Sequence, residues 1–64
     1  MTLTIKVPDM ACASCGEAIK KAIMTLDSDA VVQTDTNTKL VSVETQVSEA
    51  VIREAIMNAG YSVA

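Results

Sequence analysis

Two stretches of this chain space their apolar residues with the period of a helix, and each lies between short runs that alternate instead. In the first, Ile19, Ala22, Ile23 and Leu26 make one stripe, with Glu17, Lys20 and Lys21 largely off it. In the second, Val51, Ile52, Ala55, Ile56 and Ala59 do the same. A helix with a single apolar stripe must bury it against another layer, and in 64 residues the only layer on offer is a sheet built from the alternating runs. Residues 2–7 alternate, with Leu3, Ile5 and Val7 on one side, until Pro8 ends the run because proline has no N–H for a ladder. Ser14 followed by Glu17 fits a capping box, which places the first helix start at Ser14 and Cys15 in its first turn. Asp27, Ser28 and Asp29 break that helix. Residues 30–34 read as a second strand, 35–38 as a turn rich in Asp, Asn and Thr, and 39–45 as a third strand with Val41 and Val43 inward. Ser48 caps the second helix with Glu49 at its positive end, Gly60 stops it, and 61–63 is long enough for a last strand. The order β-α-β, turn, β-α-β is a loose duplication of about thirty residues per half, the split-βαβ form of a two-layer α+β sandwich. Both helices then pack on one side of the sheet, and 1–64 reads as a single domain.

A core this thin holds no deep pocket or large cofactor, so an enzyme is not expected. The apolar runs are far shorter than the roughly 20 residues that span a bilayer, and the start lacks the basic flank of a secretory leader; the expected compartment is the cytoplasm, without stable membrane association. Net charge is −3, with no basic stripe and a single aromatic residue, which argues against nucleic acid. The mild acidity would suit a protein surface carrying positive charge, but it is also the ordinary device for solubility.

The chain holds no histidine, and its two cysteines, Cys12 and Cys15, stand on the connection between the first strand and the first helix. Residues three apart at a helix start share one side, so both sulfurs can aim at one point. The helix N-terminus favours an anion, so the thiolate, which is the metal-binding form, is stabilised there. Two thiolates without histidine cannot complete the four-ligand shell of structural zinc or an iron–sulfur cluster within one chain. Copper(I) favours soft sulfur donors, and two thiolates suffice for it. Mercury(II) would accept the same pair, whereas zinc or cadmium would need water, a carboxylate such as Asp9, or a second molecule. A thiol–disulfide redox protein is the rival from another class, although such pairs usually come with a larger thioredoxin-like domain. A structural disulfide across two residues would stabilise little.

The motif Met10-x-Cys12-x-x-Cys15 after a first strand, together with Gly60-Tyr61 near the end, resembles the heavy-metal-associated domain family and, within it, the small soluble bacterial copper chaperones. The resemblance covers essentially the whole chain. It implies a ferredoxin-like βαββαβ fold with both helices on one face of a four-stranded antiparallel sheet. It implies copper(I) held by Cys12 and Cys15 and handed to metal-binding domains of copper-transporting P-type ATPases by ligand exchange. It also implies that Met10 packs beneath the loop without binding metal, and that Tyr61 is the aromatic beside the site. Two departures stand out: Ala11 where many members have Thr or Ser, and Pro8-Asp9 where a glycine commonly precedes the methionine. Met24 and Met57 fall within the helices and read as packing. Lys20 and Lys21 either meet acidic groups on a partner or form a solvated face. Copper-bridged homodimers are feasible, since two molecules present four thiolates. A zinc, cadmium or mercury domain for sensing or detoxification is the remaining alternative.

Overall fold

The computed structural model describes residues 2–64. Five elements follow one another: strand β1 (Thr2–Lys6), helix α1 (Ala13–Leu26), strand β2 (Val31–Asp35), strand β3 (Leu40–Glu44) and helix α2 (Glu49–Asn58). The strands form a three-stranded antiparallel sheet with β3 in the middle, flanked by β1 and β2. Leu3 and Val32 both pair with Val43, while Ile5 pairs with Val41. Side chains alternate across a strand, so Ile5, Val32, Val41 and Val43 share one buried face, and Thr4, Gln33 and Ser42 lie on the other. Ile19 and Ile23 from α1, with Ile52 and Ile56 from α2, have no exposed surface and join the same core. Both helices therefore cover the one apolar face of the sheet.

The buried stripes are narrower than their spacing suggested. Leu26 is 48% exposed and Val51 42%, and Ala59 is exposed as well. Leu26 is the last residue of α1 and Val51 flanks the buried line through Ile52 and Ile56, so a narrow sheet leaves both at its margin. Met24 and Met57 also lie exposed on the helices and do not pack into the core.

The fourth strand expected at 61–63 is not formed among the described residues. One backbone bond remains, from Ala64 N–H to the Lys6 carbonyl at 2.9 Å. Continuing that antiparallel pairing would set Ser62 opposite Pro8, which has no N–H to give. Ser62's own N–H donates to the Asp9 carboxylate, at 3.0 and 3.1 Å from its two oxygens. A side chain has taken the place of the ladder partner.

Helix α2 ends in a Schellman arrangement: Gly60 N–H donates to the Met57 carbonyl at 3.0 Å, and Tyr61 N–H to the Ile56 carbonyl at 3.3 Å. Gly60 sits at φ +98, and nothing lies within 4 Å of where a Cβ would be. Space is free but the backbone conformation is not, so Gly60→Ala is expected to cost about 1 kcal/mol in chemical denaturation. The turn between β2 and β3 is closed by Asp35, whose Oδ1 accepts from Asn37 N–H at 2.9 Å and Thr38 N–H at 3.4 Å. Lys39, at φ +63, completes it.

Helix α1 begins one residue before the expected capping box. Cys12, not Ser14, holds the N-cap position, and its side chain makes no capping bond. A close approach of helix to sheet lies one turn on. A Cβ at Gly16 would sit 2.7 Å from Thr34 Oγ1 and 3.2 Å from Thr34 Cβ, so only glycine lets α1 approach β2 this closely. Gly16→Ala is expected to destabilise the fold by about 1–3 kcal/mol. Adding Thr34→Ala should recover part of that loss, and thermal melts of the single and double variants measure the recovery.

Candidate metal centre

Cys12 ends the loop after β1 in extended conformation, and its carbonyl accepts the first helical bonds, from Cys15 N–H at 3.0 Å and Gly16 N–H at 3.3 Å. That geometry places Cys15 in the first turn and folds the two side chains together: Cys12 Sγ is 3.2 Å from Cys15 Sγ and 3.1 Å from Ser14 Oγ. Both cysteines are free; Cys12 is exposed, whereas Cys15 is half-buried and packs against the core. No acidic residue sits in the first turn of α1 to oppose an anion there.

The Cys12 thiol is lowered from 9.0 to about 7, first by its hydrogen bond with Ser14, then by those with the Cys15 side chain and backbone N–H. Alkylation of Cys12 followed against pH is therefore expected to rise with a midpoint near 7. Below that midpoint the sulfur is a protonated, poor ligand; above it, a thiolate. Ser14→Ala removes the largest contributor and should move the midpoint upward.

The loop is held from beneath and from two sides. Met10 is completely buried in the core. Its N–H donates to the Val7 carbonyl at 3.0 Å, closing a turn over Pro8 and Asp9. From the hairpin between β2 and β3, Lys39 Nζ donates to the Met10 carbonyl at 3.1 Å, and the Lys39 carbonyl accepts Val7 N–H at 2.8 Å. From the C-terminal segment comes the Ser62–Asp9 bond. Tyr61 is half-buried against the core, and its phenol is pushed above its usual range first by the neighbouring Cys15 and then by burial.

Of the four residues singled out in the sequence, Cys12 and Cys15 stand 3.2 Å apart, Met10 is buried in the core and Tyr61 packs against it. Asp9, the carboxylate available to complete a zinc shell, is instead engaged with Ser62. Among the described residues no three Cys, His, Asp or Glu side chains converge as a metal shell would require. What the described residues bring together there is a pair of sulfurs. Lys39 and Ser62 escaped sequence reasoning because their partners lie 29 and 53 residues away and no local spacing marks them.

The family model of the heavy-metal-associated domain matches residues 4–62. A copper chaperone, Atx1 from Synechocystis PCC6803, in a trimeric form carrying a histidine-to-tyrosine change, is 39% identical, with 97% of this chain and 98% of that one covered and a TM-score of 0.94. A gold binding protein is 42% identical over 94% of this chain and 92% of its own, with a TM-score of 0.91. The CopZ metallochaperone is 25% identical over the full length of both chains, with a TM-score of 0.86. No curated protein matches the sequence.

Proposed function

Since this chain belongs to the heavy-metal-associated domain family, we propose that it is a copper(I) carrier of the cytosol. It would hold the ion between Cys12 and Cys15 and deliver it to the metal-binding domains of copper-transporting P-type ATPases. The observation that carries this reading is the pair of free thiols 3.2 Å apart at an open helix start. No third side-chain donor joins them among the described residues. Two soft sulfurs satisfy a soft monovalent ion. Zinc, which takes four ligands in structural sites, is left short of partners.

Delivery follows from the different exposure of the two sulfurs. An acceptor thiolate approaches the exposed Cys12 side and bonds the ion while both protein sulfurs still hold it. The bond to Cys12 then breaks, a second acceptor thiolate adds, and the bond to the half-buried Cys15 breaks last. Copper stays monovalent throughout, and the protons released by incoming thiols are taken up by the departing ones. Weak electrostatic docking suffices for such an encounter, and two copies sharing ions through four thiolates would give a copper-bridged dimer. Nothing in the exchange requires a catalyst. No helix among the described residues is long and apolar enough to cross a membrane, so the acceptor supplies the membrane step.

Anaerobic titration of the reduced protein with copper(I) against a competing chelator tests the proposal. A tight one-to-one complex that persists in excess zinc(II) is expected. Negligible copper binding would remove the carrier reading.

A further inference from the structure

The turn between β2 and β3 ends on a residue that its backbone does not favour. Lys39 sits at φ +63, in the left-handed region that suits glycine or asparagine and strains a lysine. A long side chain kept at a strained position points to a use for that side chain. The Lys39 ammonium donates to the Met10 carbonyl at 3.1 Å, across 29 residues of sequence. The Lys39 carbonyl accepts Val7 N–H at 2.8 Å, and the Val7 carbonyl accepts Met10 N–H at 3.0 Å. The three bonds close a ring through Lys39, Val7 and Met10. Val7 and Met10 have no exposed surface, and a buried carbonyl robbed of its donor loses more than the bond itself is worth.

We infer that Lys39 is a positioning residue for the metal loop, its ammonium fixing the Met10 peptide from which the chain runs through Ala11 to Cys12. Its backbone closes the hairpin onto the end of β1, and its side chain anchors the loop. The Cys12 sulfur touches only its own turn, at Ser14 and Cys15. On its N-terminal side, the Met10 peptide is what ties that turn to the sheet. The consequence for copper rests on the carrier reading; the anchoring does not.

The test has a metal-free arm and a copper arm. Lys39→Gly relieves the backbone and removes the ammonium, so it separates a turn role from an anchoring role. Lys39→Met keeps the stem and loses only the charged donor. In the reduced, metal-free protein, both should speed exchange of the Met10 amide, followed by NMR, by about three- to tenfold, the loss of one hydrogen bond. Amides paired between β2 and β3 should exchange as in wild type, and order parameters at Ala11 and Cys12 should fall. Lys39→Arg keeps a cationic donor and should regain most of the protection at Met10. In the copper arm, bathocuproine disulfonate should withdraw copper(I) at least about threefold faster from Lys39→Met than from wild type. An unchanged Met10 amide in Lys39→Met would overturn the proposal. So would equal acceleration of the β2–β3 amides, which would mark general destabilisation, or unchanged copper withdrawal beside a freed Met10 amide. Should the wild-type protein fail to hold copper(I), the carrier reading falls, while the metal-free arm still decides whether Lys39 anchors the loop.

Discussion

Cys12→Ser is expected to weaken copper(I) retention by at least about 100-fold while leaving the fold intact. The size follows from the donor count: one sulfur of two is gone, and even loss of an outer partner of a metal ligand commonly costs about 10–100-fold. No neighbouring carboxylate or imidazole can take its place, because the chain has no histidine and Asp9 is bonded to Ser62. The fold should not notice. Cys12 is exposed, its side chain caps nothing, and surface changes of this kind usually stay within about 0.5 kcal/mol. Chelator competition and a thermal melt on the same variant separate the two effects. Retained copper with an unchanged melt would mean that the site lies elsewhere.

Met10→Ala should do the opposite and act on stability first. Met10 has no exposed surface and fills the core under the cysteine loop, so truncation is expected to cost about 2–5 kcal/mol. A 64-residue domain has on the order of 3–10 kcal/mol of stability in all, so the variant should be close to unfolding at body temperature. Met10→Leu keeps the volume and should lose less than about 1.5 kcal/mol. The pair also separates packing from ligation. A thioether that packs can be replaced by leucine without loss of copper, whereas a thioether that binds cannot. Denaturant unfolding of both variants, with a copper competition on the leucine variant, reads the distinction.

The sequence made the layers legible because their signals are periodic. Ile5, Val7, Val41 and Val43 from the strand runs, and Ile19, Ile23, Ile52 and Ile56 on the helices, reached the core they were assigned to, while Leu3 is only partly buried against it. Element ends were harder. Ser14 and Glu17 have the spacing of a capping box, yet the cysteine loop brings Cys12 to the cap and turns Ser14 toward its sulfur. Residues 61–63 have the composition of a strand, but pairing depends on what stands opposite, and there Pro8 and Asp9 deny it. The paired sulfurs were visible as a three-residue spacing. Their supports were not: Lys39 reaches Met10 only because a hairpin folds back, and Gly16 looks like any helix glycine until Thr34 is set against it.

The central claim is that two sulfurs and nothing else from this chain hold a monovalent ion. X-ray absorption at the copper edge of the reduced, loaded protein, under strict one-to-one loading, tests it most directly, since oxidation state and donor atoms come from one spectrum. The account predicts cuprous copper with two sulfur neighbours, and loss of that signature in Cys12→Ser. A shell rich in nitrogen or oxygen donors, or a sample that keeps zinc and sheds copper, would contradict it.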